Sequence, residues 1–271
     1  MKPTILFFAM CQFFLLAACH DPERENNPDI QTSDTAADEK NLTSLVSKYP
    51  DSIIFRETLV MFYRNSGNYE KAISEINKAI QHDSLLPRLW ESKALLHFEN
   101  EDTMPAIRSL EKAISLVPET KYLVGLGNLY AQTKNPKALQ IAALLLKSGQ
   151  MESAKDANYI SGLYYTYKNE KEKAIVYFDK CLNLQFSFMD AYREKAIALY
   201  DLGKYDSSLA VLDKALTLQN SFEEGYYYSG RCLEKLNRKE EAIQSYRNAL
   251  VYDPEYTEAK DALNRLLHVA N

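Results

Sequence analysis

Residues 237–254 read NRKEEAIQSYRNALVYDP, and residues 101–118, EDTMPAIRSLEKAISLVP, follow the same frame. Pro254 and Pro118 are 254 − 118 = 136 residues apart, which is four times 34. A third segment, GNYEKAISEINKAIQHDS at 67–84, fits the frame one period before the second. Self-similarity at a fixed spacing of about 20–50 residues indicates an array of stacked structural units. The sequence therefore predicts a repeat architecture.

Small residues recur at two places in the 34-residue unit. With unit starts at 53, 87, 121, 155, 189 and 223, five of the six units have a small residue at both the twentieth and the twenty-seventh position. These residues are Ala72, Ala79, Ala106, Ala113, Ala174, Cys181, Ser208, Ala215, Ala242 and Ala249. A spacing of seven places both on one face of a helix. Each unit is therefore predicted to be two amphipathic helices, the second of which approaches its neighbours closely.

A period of 34 with small residues seven apart, an aromatic residue near the start and a closing proline resembles the tetratricopeptide repeat. The resemblance implies an all-α solenoid of about six repeats over residues 41–271. Half-repeat helices are expected at both ends, because solenoids need capping. The segment 41–50 resembles a lone second helix, and 257–271 resembles a lone first helix that caps the C-terminal face.

The third repeat, residues 121–154, departs from this pattern. Tyr130 stands one place early and Ala138 two places early, although the total length is kept. Gly125 and Gly127 are each expected to weaken the first helix by about 1 kcal/mol relative to alanine. The slip indicates either a kink in the solenoid or neutral drift in a tolerant repeat.

The N-terminal residues 1–18 have the layout of a secretory signal peptide. From Ile5 to Ala18 the only residue that is not apolar is Gln12, and Lys2 precedes the run. Its 14 residues are too few to cross a bilayer, which needs about 20. The sequence therefore predicts that the protein is exported.

Leu16-Ala17-Ala18-Cys19 resembles the lipobox of bacterial lipoproteins. The resemblance implies cleavage before Cys19 and acylation of that residue, with palmitate as the expected acyl chain. An ordinary signal peptide with an incidental cysteine is the alternative. The acidic segment 19–40 is too polar to fold by itself and is expected to be a disordered linker between the lipid anchor and the solenoid. The implied location is the cell envelope at the outer membrane, with the periplasmic face and the cell surface both open.

Charge and cysteine content exclude two classes of protein. Removal of residues 1–18 takes away one base, Lys2, so 31 bases face 37 acids and the net charge is 31 − 37 = −6. Without a basic cluster, nucleic acid is excluded as a partner. Cys181 and Cys232 are separated by the whole fifth repeat, too far for a disulfide, so both are expected to be reduced packing residues.

Motifs that would support catalysis are missing from the sequence. The four histidines form no metal-binding pair, and neither HExxH, GxSxG nor CxxC is present. The sequence therefore predicts no catalytic residue, no cofactor and no metal site. An enzyme, or an accessory subunit that uses the solenoid to capture a substrate, is the alternative.

The resemblance implies that the first helices line a concave groove through their positions 2, 5, 9, 12 and 13. Tyrosine and arginine often carry the energy of protein interfaces, which favours a protein or peptide partner in this groove. The candidate contact residues are Phe98, Tyr159, Tyr167, Arg193, Tyr200, Tyr227 and Arg231. A packing role is the alternative for each of them.

A lipid-anchored scaffold for protein–protein interaction is therefore the expected function. The layout of a lipoprotein with about six repeats resembles pilotin lipoproteins and lipoproteins that assist outer-membrane protein assembly. Self-association through the open ends of the array is a further possibility.

Overall fold

The computed structural model describes residues 34–268, and these residues form α-helices joined by short turns. In chain order the helices are α1 (Asp34–Lys48), α2 (Ile53–Asn65), α3 (Tyr69–His82), α4 (Pro87–Glu99), α5 (Thr103–Leu116), α6 (Thr120–Gln132), α7 (Lys137–Lys147), α8 (Met151–Tyr167), α9 (Lys171–Leu184), α10 (Met189–Asp201), α11 (Tyr205–Leu218), α12 (Glu223–Lys235), α13 (Lys239–Tyr252) and α14 (Thr257–His268). None of these helices is both long and apolar enough to cross a membrane.

Helices α2 to α13 form six hairpins, each a first helix followed by a second, and α14 packs on the last of them. First helices of successive hairpins contact one another. For example, α6 contacts α8, and α10 contacts α12. Second helices make no contacts of comparable extent with each other. The first helices therefore lie on the inside of a curved α-solenoid, which confirms the predicted fold class.

The small residues of the repeat pattern allow the second helices to pack tightly. All ten alanine, serine and cysteine residues at the twentieth and twenty-seventh positions are fully buried. Large side chains four residues after the twentieth position fill the space between the two helices of a hairpin. These are Ile76, Leu110, Phe178, Leu212 and Tyr246, and each of them is buried.

The size of this large side chain is matched by the residue 16 positions earlier, on the first helix of the same hairpin. Gly162 faces Phe178, and a Cβ at Gly162 would lie 2.5 Å from Cε1 of that ring. Gly230 faces Tyr246 in the same way, with 2.6 Å to its Cε1. Where the side chain on the second helix is smaller than an aromatic ring, the residue on the first helix is larger than glycine. The pairs are Ala94 with Leu110, Ala196 with Leu212, and Val60 with Ile76.

Helix α1 begins at Asp34, inside the segment 19–40 that the composition predicts to be disordered. One of its acids, Glu39, has partners on the first hairpin, which hold the helix there. The Glu39 carboxylate accepts hydrogen bonds from the Tyr63 hydroxyl at 2.9 Å and from Lys71 Nζ at 2.7 Å. The predicted linker boundary at 40 is thus wrong, because residues 34–40 belong to α1. The rest of the linker, the signal peptide and Cys19 lie outside the described residues.

The third hairpin shows where its register slips. One residue in each turn between first and second helix has a positive φ: Gly67, Glu101, Lys134, Asn169, Gly203 and Asn237. Successive differences are 34, 33, 35, 34 and 34, so the third turn is one residue early and the fourth restores the phase. Helix α7 has only 11 residues, and α8 consequently starts at Met151, four residues before the predicted 155.

The two glycines of α6 differ in their packing. A Cβ at Gly127 would lie 2.6 Å from Ile160 Cδ1 and 3.1 Å from Ile141 Cγ2, so this glycine allows α8 to approach α6 closely. A Cβ at Gly125 would meet only Leu110 Cδ1, the end of a flexible side chain, at 3.3 Å. Gly127 therefore compensates for its low helix propensity by packing, whereas Gly125 does not.

Cys181 and Cys232 are both buried free thiols, as the repeat frame predicts. Burial raises the pKa of the Cys181 thiol to about 12. A thiol that stays protonated at neutral pH is a poor nucleophile. Both cysteines therefore act as small packing residues.

Candidate functional site: the concave surface

The concave surface is formed by the inner faces of α2, α4, α6, α8, α10, α12 and α14. Ion pairs join neighbouring first helices along it. Glu57 accepts from Arg88 Nε at 3.0 Å, and Glu91 accepts from Lys121 Nζ at 2.7 Å. Arg193 donates a hydrogen bond of 2.8 Å to Glu224, and Arg265 donates two hydrogen bonds, of 2.7 and 2.8 Å, to Glu234. The partners of these pairs are 30 or 31 residues apart in sequence.

These ion pairs occupy many of the charges that the repeat frame places in the groove. They were not predicted from the sequence, although their spacing is recognisable. The acid and the base are 30 or 31 residues apart, slightly less than one period of 34. Their effect is to align adjacent first helices. Charges that already pair within the chain are less available to a partner.

Arg193 is the centre of a buried charged cluster between α10 and α12. Its guanidinium donates to Asp190 at 2.9 Å, to Glu224 at 2.8 Å and to Glu194 at 3.3 Å, and the residue is 3% exposed. Burial raises the pKa of the Glu194 and Glu224 carboxyls, and Arg193 offsets this only in part. One guanidinium thus balances three carboxylates inside the solenoid.

Arg231 has a different environment, made of aromatic rings. Its guanidinium carbon lies 4.6 Å from the ring centroid of Tyr200, 5.6 Å from that of Tyr228 and 5.9 Å from that of Tyr227. Tyr227 in turn contacts the rings of Tyr246 and Tyr256. Cation–π contacts of this kind hold a guanidinium in place while its N–H groups point away from the ring.

The predicted groove residues fall into two groups. Tyr159, Arg193 and Tyr227 are buried and pack within the solenoid. Tyr159 contacts the rings of Phe178 and Phe188, so its role in the structure is mainly packing. The remaining four are Phe98, Tyr200 and Arg231, which are half-buried, and Tyr167, which is 37% exposed.

Burial against the neighbouring first helices has a chemical consequence for the tyrosines. Together with the smaller effect of the Glu194 carboxylate, it raises the pKa of the Tyr167 hydroxyl to about 12. Tyr167 therefore keeps its proton at any physiological pH and can donate a hydrogen bond. It is the predicted groove residue with the most accessible side chain.

Three polar atoms on the concave surface have no hydrogen-bond partner within residues 34–268. They are Asn128 Oδ1 and Gln132 Oε1 on α6 and Thr166 Oγ1 on α8. Asn128 and Gln132 follow Lys121 by seven and eleven residues, which places them on the face that Lys121 directs toward Glu91. Native proteins leave few buried polar atoms unpaired, so each of the three needs an explanation.

The repeat frame missed Asn128 and Gln132 because the slip in the third repeat shifts their register, whereas Thr166 lies at position 12 of the fourth repeat, a groove position. Counted from the observed start of α6 at Thr120, Asn128 is the ninth residue and Gln132 the thirteenth. Both are groove-lining positions in the repeat frame. The start of α6 one residue early is the signal that reassigns them.

Family models of the tetratricopeptide repeat match residues 57–83, 155–188 and 193–262. These three stretches are recognised as tetratricopeptide repeats. Such repeats suggest a scaffold for protein–protein interaction and are typically non-catalytic. No curated protein matches the chain.

Solved structures of tetratricopeptide-repeat proteins share the fold. A repeat protein from Parabacteroides merdae superposes with a TM-score of 0.70 at 19% identity, over 86% of this chain and 93% of that one. PilW, a type IV pilus biogenesis factor, gives 0.61 at 17%, over 78% and 98%. The Cut9–Hcn1 complex gives 0.54 at 17%, over 88% and 46%. At these identities the likeness shows the fold alone.

Proposed function

We propose that the protein is a non-catalytic scaffold whose concave surface binds a segment of another protein. The observation that carries this proposal is the set of unpaired oxygens of Asn128, Gln132 and Thr166 on adjacent first helices, each with less than 1 Å² of exposed area in the unbound protein. A partner reaches them by displacing the side chains that cover them. All three are acceptors that lack a donor. The main chain of a peptide supplies N–H donors at regular intervals, and main-chain hydrogen bonds are a common source of affinity in peptide recognition.

The surroundings of these oxygens favour a peptide over a small polar ligand. Asn128 is 3% exposed, so its oxygen lies at the floor of the surface. Tyr167, next to Thr166, supplies an aromatic wall and a hydroxyl donor. Toward the N-terminal end the same surface exposes the apolar side chains of Ile54 and Met61 on α2. An extended segment with main-chain donors and apolar side chains complements this arrangement.

The location of the scaffold is part of the proposal. The apolar run Ile5–Ala18 followed by Cys19 supports export, acylation of Cys19 and a lipid anchor at the outer membrane. The partner is then an envelope protein. A pilotin-like role in pilus assembly and a role in outer-membrane protein assembly are the two pathways that a lipoprotein of this layout favours.

Site-specific photocrosslinking in cells tests both parts of the proposal. A photoreactive amino acid at Tyr167, on the concave surface, is expected to give one discrete adduct. The matched control is Val176, which is 52% exposed on the second helix α9, and it is expected to give none. The mass of the N-terminal peptide of the captured chain reports whether Cys19 is acylated.

Three results would contradict the proposal. An adduct of equal yield from Val176 would contradict binding on the concave surface. A cytoplasmic protein in the adduct, or an N-terminal peptide that begins at Met1, would contradict the envelope location.

A further inference from the structure

Lys93 on α4 and Lys195 on α10 occupy the same place in the repeat, because they are 195 − 93 = 102 residues apart, which is three periods of 34. Lys195 Nζ is paired with the carboxylate of Asp179, on the preceding second helix α9, at 2.5 Å. The residue equivalent to Asp179 in the first repeat is Asn77 on α3. The repeat therefore places a neutral amide beside Lys93 where Lys195 has an acid.

A second basic side chain lies close to Lys93. Burial, and then the like charge of Arg108 on α5, lower the pKa of Lys93. The residue equivalent to Arg108 in the fifth repeat is Ala210. Among the described residues, 34–268, no carboxylate lies within the 4.0 Å ion-pair distance of Lys93 or Arg108. The second repeat thus has two neighbouring cations where the fifth has one ion pair.

The nearest acid of this cluster, Asp102, is engaged elsewhere. Its carboxylate lies 3.4 Å from Nδ1 of His97 and accepts a hydrogen bond from the Asn100 amide at 2.9 Å. Burial lowers the pKa of His97 in spite of Asp102, so the imidazole is neutral at pH 7.5 and adds no third cation. The charges of Lys93 and Arg108 are therefore left without a carboxylate in ion-pair contact.

Trp90 holds the Lys93 side chain in place. Nζ of Lys93 lies 5.5 Å from the ring centroid of Trp90, and the indole N–H donates a hydrogen bond to the Ser84 carbonyl at 2.9 Å. A cation–π contact orients an ammonium group without neutralising its charge. Lys93 is the seventh residue of its repeat, which is not a groove-lining position. The equivalent Lys195 contacts the preceding second helix, so we expect Lys93 to be directed toward α3.

The donors at this place suit a phosphate group. The Lys93 ammonium, the Arg108 guanidinium and the Asn77 amide belong to three different helices, and each donates N–H groups. In phosphate sites lysine acts as a point charge and arginine as a bidentate donor. A phosphate group has more acceptor oxygens than a carboxylate, and two cations balance its charge. A bound phosphate would also relieve the repulsion between Lys93 and Arg108.

We propose that Lys93, Arg108 and Asn77 form a binding site for a phosphate group between α3, α4 and α5. The site goes beyond the proposed function, because it uses none of the concave-surface residues that carry that proposal. The phosphate belongs either to a small phosphate ester or to a lipid headgroup. Both sources offer the same charged oxygens.

Thermal unfolding of the full-length protein in detergent tests the proposal. Glycerol 3-phosphate represents a small phosphate ester, and phosphatidylglycerol added to the micelles represents a headgroup. Sodium chloride at the same ionic strength is the reference for the first probe, and diacylglycerol, which lacks phosphate, is the reference for the second. Arg108→Gln removes one cation at an exposed position, and Lys195→Met is the matched control at the equivalent lysine.

We expect at least one probe to raise the thermal midpoint of the parent protein saturably by about 2–4 °C, and the stronger probe identifies the source of the phosphate. Phosphate also stabilises proteins in general by exclusion from their surface, so the comparison of variants is decisive. Lys195→Met should respond like the parent, and Arg108→Gln should lose most of the rise. Asn77→Asp should have a higher midpoint without any probe and lose the response, because its carboxylate pairs with Lys93.

Three results would overturn the proposal. The first is a midpoint of the parent that neither probe raises above its reference, and the second is an equal rise in the parent and in Arg108→Gln. The third is a rise that appears only after the four acids of residues 20–33 are replaced by amides, because the N-terminal segment would then be the ligand of this site. Crosslinking from Tyr167 is a separate result, so a failure here leaves the scaffold proposal standing.

Discussion

Replacement of Gly162 by alanine is expected to destabilise the protein strongly, although alanine is the better helix former. The new Cβ would lie 2.5 Å from Cε1 and 2.7 Å from Cδ1 of the buried Phe178 ring. Overpacking of a filled core costs about 1–3 kcal/mol, and more where a ring cannot move. We expect the free energy of unfolding, measured by urea denaturation, to fall by about 3 kcal/mol. Gly125→Ala is the control, because its Cβ meets only a flexible leucine tip, and it should be neutral or stabilising.

A second substitution distinguishes overpacking from other causes. The second and fifth hairpins pair alanine with leucine where the fourth pairs Gly162 with Phe178. Phe178→Leu alone is expected to destabilise because it leaves a cavity. In Gly162→Ala/Phe178→Leu the added methyl occupies part of that cavity, so the double variant should lose less than the two single losses together, by more than 1 kcal/mol. Additive losses would contradict the complementary sizes of this pair.

Replacement of Arg193 by methionine is expected to have the second large effect. Methionine keeps much of the volume but leaves Asp190, Glu194 and Glu224 together without their shared cation. Removal of one partner from a buried ionic cluster costs about 3–5 kcal/mol. The control is Arg238→Met, which removes an exposed pair with Glu241 and should change stability little.

The loss in Arg193→Met should depend on pH. Burial already raises the pKa of Glu194 and Glu224, and removal of the guanidinium raises it further. A carboxyl whose pKa is raised on folding contributes stability below its unfolded pKa of about 4.3 and loses it as pH rises through the folded pKa. The difference in unfolding free energy between Arg193→Met and the parent should therefore be large at pH 7.5 and shrink toward pH 4.5. A difference independent of pH would contradict this account of the cluster.

The fold is predictable from the sequence because the period of 34 is carried by residues that packing requires. Ala72 and Ala79, for example, are small because a larger side chain would separate the helices, and both are fully buried. Complementary pairs such as Gly230 and Tyr246 lie 16 residues apart and are visible in the sequence once the frame is known. The reduced state of Cys181 follows from the same frame.

The groove was less predictable, for physical reasons. A repeat position states which face a residue lies on but not how closely the next helix covers it. Tyr159 and Tyr227 illustrate this, because both lie at groove positions and are buried by neighbouring rings. Asn128 reaches the groove through the one-residue slip of α6, which the early Tyr130 already indicates, but only the structure shows that its oxygen is unpaired. The location of the protein and its lipid anchor remain predictions from the N-terminal sequence.

The central claim is that the oxygens of Asn128, Gln132 and Thr166, which are covered and unpaired in the unbound protein, accept hydrogen bonds from a protein partner that displaces the side chains over them. The most direct test is to measure, for the partner captured at Tyr167, its affinity for Thr166→Val. Valine has the shape of threonine but no acceptor, and Gln132→Met is the parallel change on α6. The control is Thr133→Val, since the Thr133 hydroxyl already donates to Leu129 at 2.9 Å.

We expect Thr166→Val to bind the partner about 3–10-fold more weakly, the equivalent of one lost hydrogen bond. Its free energy of unfolding should be unchanged or higher, because an unsatisfied polar group has been removed. Thr133→Val should bind like the parent protein. Unchanged affinity of both Thr166→Val and Gln132→Met would contradict the account.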